Sequence, residues 1–280
     1  MKVAVLGATG MLGSMLVRYL SKHFEVVATA RDEGYKPPSG VELRYLDVED
    51  KNGLVEAVKG CQRVINAIGS IPQRVNSATE FMRVNALLPV RLAEVAEQVI
   101  QVTTDCVFSG DRGDYTELDK PMPTDAYGES KAQGEVRSSN MHSLRCSLVG
   151  PETHGKSLLG WFLSQPEGAT IQGYANHYWN GITTLHFARI CRGIIENSIE
   201  LPHLQHIVPA DSVSKYKLLK LFAREFGRED IVIQPVAPAK PVHRTLATHN
   251  NRFDRELWKA AGYDYLPTIA RMIKELGENK

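Results

Sequence analysis

Tyr127 and Lys131 stand four residues apart, the separation that puts two side chains on one face of a helix. An ammonium beside a phenol favours the phenolate, so the pair predicts a tyrosine whose pKa falls toward neutrality. Such a phenol can pass a proton to a carbonyl oxygen. The spacing alone is weak, because Tyr216 and Lys220 repeat it. Context separates the two pairs. Residues 99–105, Val-Ile-Gln-Val-Thr-Thr-Asp, read as a strand ending near Thr104, whose hydroxyl could reach the same oxygen. Tyr216 has no such partner, and packing plus a surface charge are expected there. Thr104, Tyr127 and Lys131 form the candidate catalytic set, with Cys106 as a fourth candidate two positions beyond Thr104.

These groups need elements to hold them. Residues 2–6, 24–28, 41–45, 63–68, 99–102 and 143–149 are short β-branched runs that read as strands. Helical spacing separates them over residues 11–22, 51–59, 80–98 and 126–137, with Asp50 capping the second of these helices. Residues 109–124 are rich in Gly, Asp and Pro and read as a loop. Strictly alternating strands and helices predict an α/β fold, a Rossmann-type doubly wound parallel sheet. The pattern loosens after Gly150. The expected organisation is a cofactor domain over residues 1–150, rejoined by residues 183–209, and a smaller α+β substrate lobe from residues 151–182 and 210–280.

Gly7-Ala8-Thr9-Gly10-Met11-Leu12-Gly13 lies between the first strand and the first helix. Glycines there permit a tight turn and close backbone approach to a pyrophosphate, and the helix start offers free N–H groups to it. Gly7, Thr9, Gly10, Met11, Leu12 and Gly13 are therefore candidate cofactor residues. Two residues between successive glycines resemble the short-chain dehydrogenases of the extended type. The second strand is followed by Arg31 rather than an acid, which suits the 2′-phosphate of NADP(H). An arginine in solvent beside Asp32 would still serve NAD(H), so both remain open. By the same resemblance Asp47 and Val48 border the adenine, Ala67, Ile68 and Gly69 line the cofactor groove, and Lys131 also holds the nicotinamide ribose with Tyr127.

Bulk properties exclude several classes. The net charge is +1, and no run of five basic residues marks a nucleic-acid or membrane-surface protein. The four cysteines form no Cys-x-x-Cys pair, and the histidines show no metal spacing, so no metal is assigned. Reduced thiols, no signal peptide and no apolar run of membrane-spanning length point to a cytoplasmic protein without a membrane partner.

Thr103-Thr104-Asp105-Cys106-Val107-Phe108-Ser109-Gly110, then Tyr115-Thr116-Glu117 and Tyr127-Gly128-Glu129-Ser130-Lys131 with Gly134-Glu135, resemble the dTDP-4-dehydrorhamnose reductase family across the first 150 residues or so. The resemblance implies reduction of a nucleotide-linked 4-keto-6-deoxy sugar. It makes Tyr127 the proton donor, Thr104 a carbonyl hydrogen-bond donor and Lys131 the activator of Tyr127. It also implies a homodimer. Asn85 matches an asparagine usual in the family, as a substrate contact or as a backbone bridge near the site. Asp105, Asn176, His177, Trp179, Asn180 and Arg244 are further substrate candidates, Arg244 for a diphosphate. Two other readings stand beside this one. GDP-fucose synthases carry a cysteine where Cys106 stands, so an epimerase-reductase using Cys106 and His177 is open, as is a buried Cys106 with no chemical role. Some members of the fold are non-catalytic cofactor-binding regulatory subunits.

Overall fold

In the computed structural model, residues 1–32, 34–75, 77–152 and 155–279 are described. The chain first lays down β1 (Lys2–Leu6), α1 (Met11–Leu20), β2 (Glu25–Ala30), β3 (Glu42–Tyr45), α2 (Lys51–Val58) and β4 (Arg63–Asn66). Asp50 accepts from the Asn52 N–H and caps α2 as expected. Next come α3 (Ala78–Phe81), a π-helical stretch (Met82–Leu87) and α4 (Leu88–Val95), then β5 (Val99–Thr103), α5 (Ala126–Gln133) and β6 (Met141–Arg145). The single long helix expected over residues 80–98 is thus interrupted. A π segment widens the helix by one residue per turn and re-aims its side chains, and such segments recur at functional sites. Here it delivers Asn85 inward.

The rest of the chain forms β7 (Leu148–Val149), α6 (Leu158–Leu163), β8 (Thr170–Tyr174), β9 (His177–Trp179), β10 (Ile182–Thr183), α7 (Thr184–Glu196), β11 (Leu204–His206), β12 (Val213–Ser214), α8 (Lys215–Glu225), β13 (Val232–Val236), β14 (Val242–His243), α9 (Asn251–Ala260) and α10 (Ile269–Glu278). The main sheet runs β11-β6-β5-β4-β1-β2-β3, all parallel. β11 pairs with β6, so residues 204–206 join the first sheet. Smaller pairings, β8 with β13 and β12-β9-β14, lie outside this sheet.

β1 shows why this sheet lies in the centre. Val3 and Val5 face one layer, packed with residues of α1 and α7, while Ala4 and Leu6 face the other, packed with Leu54, Leu88 and Leu92. A strand buried on both faces needs the continuous apolar run that Val3–Leu6 supplies. The core on the α1–α7 side continues into α8, α9 and α10 through Phe222, Trp258 and Met272, so these helices share one apolar body.

Candidate active site

The strand order reverses between β1 and β4. Open α/β sheets bind ligands in the crevice at such a point. A groove of about 280 Å³ occupies it. Gly7, Thr9 and Gly10 line it from the turn, Arg31 from the end of β2, Asp47 and Val48 from beyond β3, and Ala67, Ile68 and Gly69 from beyond β4. Gly7 has φ +83°, a conformation that favours glycine, and a Cβ on Gly13 would lie 2.0 Å from the Gly7 carbonyl oxygen. The turn therefore closes only with glycine at both positions. Leu12 turns into the core instead of the groove. The Gly7 N–H donates to the Thr29 hydroxyl at 3.2 Å, a support that sequence reasoning missed. This cradle of bare backbone beside a helix start fits a dinucleotide pyrophosphate. Arg31 is exposed at the rim, and Asp32 accepts from the Gly34 N–H at 2.8 Å. Arg83, also missed, pairs with Glu49 and Glu80 farther along the groove.

The catalytic candidates meet at the end of β5. Thr104 caps the short 3₁₀ turn Asp105–Val107 by accepting from the Cys106 N–H at 3.2 Å, and its hydroxyl donates to Asp105 Oδ1 at 3.0 Å. Asp125 caps α5 by accepting from the Gly128 N–H at 2.7 Å. A Cβ on Gly128 would lie 2.3 Å from the Cys106 carbonyl oxygen, and one on Gly134 would lie 2.0 Å from that of Asn85. Glycine at these two places lets α5 press against both segments, which brings Tyr127 beside Thr104 and buries Lys131. Lys131 Nζ donates to the Val102 carbonyl at 2.7 Å. The Tyr127 ring meets Phe81 edge-on at 6.0 Å.

The electrostatics correct one expectation. Burial pushes the Tyr127 phenol up, and the charges of Cys106 and Asp105 add to this, against the nearby Thr104 hydroxyl. Burial pushes Lys131 down to about 8, with Glu135 opposing. The Lys131 ammonium is committed to β5, and desolvation dominates at the phenol. Cys106 is pushed up to about 12 by burial and by Asp105, so its thiol keeps its proton. Its Sγ lies 3.7 Å from Asp105 Oδ1 and 4.0 Å from Arg244 Nη1.

Asn85 serves as a bridge. Its amide donates to the Ser70 carbonyl and the Ser130 hydroxyl, and its oxygen accepts from the Ser70 N–H, locking the loop after β4 to α5. Beneath α5, Glu135 takes two bonds from the buried Arg145 and one from Thr103. Arg145 Nη1 contacts His206 Nε2 at 2.8 Å, which ties this ionic network to β11.

The second-lobe candidates divide. Asn180 donates to the Leu246 carbonyl and accepts from its N–H, a clamp between two lobe segments. Asn176 donates to the Pro238 carbonyl, and His177 Nε2 lies 3.3 Å from that of Lys240, with its ring beside Tyr174. The structure thus engages His177 with the lobe backbone rather than with Cys106. Trp179 is buried, and its indole N–H donates to the Ser147 hydroxyl at 2.8 Å. These residues build the lobe rather than form an exposed grip. Arg244 does reach the site, held by the Phe108 carbonyl and the Thr124 hydroxyl. So does Lys215, whose Nζ lies 5.7 Å from the Trp179 ring centroid and whose charge is felt by Asp105 and Cys106. Nothing in the sequence singles out Lys215.

A family model described as the RmlD substrate binding domain matches residues 1–279. The chain is 34% identical over 159 residues to the probable low-salt glycan biosynthesis reductase Agl14 of Haloferax volcanii. That match covers 52% of each protein, so the chain spans about half the length of this relative. It is 27% identical over 243 residues to methionine adenosyltransferase 2 subunit beta of Danio rerio, covering 81% of this chain and 74% of that one. The fold matches that of dTDP-4-dehydrorhamnose reductase from Bacillus anthracis, solved in complex with NADP. There the TM-score is 0.79 and the identity 18%, over 100% of this chain and 99% of the other.

Proposed function

The chain belongs to the RmlD substrate-binding domain family, and from that premise we propose that it reduces the C4 carbonyl of a nucleotide-linked 4-keto-6-deoxy sugar with a nicotinamide dinucleotide. The observation that carries this reading is the meeting of Thr104, Tyr127 and Lys131 at the end of β5, beside a groove shaped for a dinucleotide. The dinucleotide supplies hydride when bound. The protein's part is to hold the carbonyl and to deliver a proton.

A phenol raised by burial suits the reducing direction. It stays protonated at neutral pH, so the acid is ready before reaction. The alkoxide that forms when the carbonyl is reduced is more basic still, and the proton then moves downhill from Tyr127. Thr104 offers its hydroxyl proton to the same oxygen by turning it away from Asp105 Oδ1. Lys131, fixed on the Val102 carbonyl, supplies a nearby cation as the phenolate develops. Arg31 at the rim favours NADP(H) over NAD(H). In this reading residues 1–150 with 183–209 hold the cofactor, and residues 151–182 and 210–280 hold the nucleotide sugar. Cys106 keeps its proton and His177 is engaged elsewhere, which favours simple reduction over epimerisation through that pair.

A second reading rests on the match to the methionine adenosyltransferase subunit over 81% of the chain, and is that of a cofactor-binding subunit without turnover. Purified protein given NADPH or NADH with dTDP-, UDP- and GDP-linked 4-keto-6-deoxy sugars separates the two. Oxidation of cofactor with one nucleotide class, and a C4 alcohol by NMR, is expected. Tight NADPH binding with no keto sugar reduced would overturn the reductase and favour the subunit.

A further inference from the structure

Lys215 opens α8, directly after Ser214, which caps the helix by accepting from the Lys217 N–H. β12 ends on Ser214 and pairs antiparallel with β9, so Val213 lies opposite Trp179. This pairing holds the start of α8 against the Trp179 ring, with Lys215 Nζ 5.7 Å from its centroid. Trp179 is itself fixed through its bond to Ser147, just beyond β6. Lys215 is half-buried, and among the described residues no hydrogen bond or ion pair reaches its ammonium. An aliphatic side chain would cover the indole without placing a charge there. A desolvated cation that the protein leaves without an acceptor is a cation placed for a ligand.

We infer that Lys215 is a substrate-binding residue that donates to a hydroxyl oxygen of the sugar near the reacting carbonyl, while Asp105 accepts the proton of that hydroxyl. The inference rests on the reductase reading and narrows it. The position follows from the neighbours. The groups that feel the Lys215 charge are Asp105 and Cys106, the two residues directly after Thr104, so the ammonium faces the reacting end of the cleft. Asp105 has one oxygen occupied, since Oδ1 takes the Thr104 hydroxyl and the Cys106 thiol, and Oδ2 is left for a ligand. Arg244 has less to give, because its Nε and Nη2 are already bound to Phe108 and Thr124. A sugar hydroxyl is both acceptor and donor, and it fits between an ammonium and a carboxylate. Burial lowers the Lys215 pKa, so its grip should weaken at alkaline pH before that of an ordinary lysine would.

Lys215→Met and Lys215→Arg test this with the keto-sugar nucleotide that the wild type reduces. K215M should raise KM for the sugar about ten- to a hundredfold, the loss of a charge-assisted bond, with little change in kcat. NADPH affinity and melting temperature should stay at wild-type values. K215R should recover most of the KM and remove its rise at alkaline pH. An unchanged KM in K215M would overturn the inference and leave the reductase reading intact. Falls in melting temperature and NADPH affinity together would also overturn it, by showing a structural role. If the wild type reduces no keto sugar, the reductase reading fails by itself. Calorimetry with dTDP-, UDP- and GDP-hexoses then decides for Lys215: binding to K215M at least tenfold weaker supports it, and equal binding, or none to either protein, overturns it.

Discussion

α5 and α8 carry the same tyrosine–lysine spacing and do different things with it. On α5, Tyr127 lies beside Thr104 and Lys131 is buried with its ammonium on the Val102 carbonyl. On α8, Lys220 is exposed and Tyr216 packs against Gly173, while Leu218, Leu219 and Phe222 point into the core. The footing differs too. α5 stands over the ionic network of Glu135 and Arg145, whereas α8 rests on apolar contacts such as Phe162 with Phe222. Two glycines make the difference on α5, because Gly128 and Gly134 let its backbone close on Cys106 and Asn85. Spacing therefore sets which side chains share a face, and close approach sets whether that face becomes a site.

Removing one hydroxyl from each helix should have the largest and most unequal effect. Tyr127→Phe should lower kcat by about 10²- to 10⁴-fold, the usual worth of a positioned acid. Tyr216→Phe should leave kcat/KM unchanged, and steady-state kinetics on the pair reads both outcomes. Equal losses would show that the spacing, not the setting, matters.

The two footings should respond differently to damage. Glu135→Gln leaves the buried Arg145 guanidinium without its counter-charge and should cost about 3–5 kcal/mol in urea unfolding. Phe222→Ala should cost a similar 3–5 kcal/mol through the cavity it opens. Only the first change lies under the catalytic helix, so kcat per folded molecule should fall in E135Q and hold in F222A.

A further effect depends on pH. Asp254 on α9 is buried, accepts from the Val208 N–H at 3.2 Å, and is pushed up by burial to about 8. The unfolded chain releases this proton near pH 4 and the folded chain near pH 8. Between those values the unfolded state binds fewer protons, so stability falls as pH rises. Asp254→Asn should remove that loss. Its melting temperature should match the wild type near pH 4 and exceed it near pH 8. A difference that does not vary with pH would show that Asp254 is not titrating in this range.

Much of this was legible in the sequence because it rests on local rules. The glycine turn, the alternation of strands and helices, the cap at Asp50 and the strand leading to Thr104 each follow from a few neighbouring residues. What was not legible depends on tertiary approach. The π segment that aims Asn85 arises where that helix meets α5, and helical periodicity does not register it. The polar cluster of Asn176, His177 and Asn180 looked like a grip, and the fold directs its bonds to Pro238, Lys240 and Leu246, more than sixty residues away in sequence. The direction of the Tyr127 shift was misjudged because spacing reveals a nearby cation but not the burial that outweighs it. Lys215 has the exposed Lys217 and Lys220 as close neighbours in sequence, and only the fold sets it apart from them.

An isotope label follows hydride delivery directly. NADPH carrying deuterium at C4 of the nicotinamide, on either face in separate samples, is given with the keto-sugar nucleotide to wild-type protein and to Y127F. Deuterium is expected at C4 of the sugar by NMR for one face only, at a rate that falls by about two to four orders of magnitude in Y127F. Tight cofactor binding without transfer of label, or transfer at equal rates in the two proteins, would contradict this expectation.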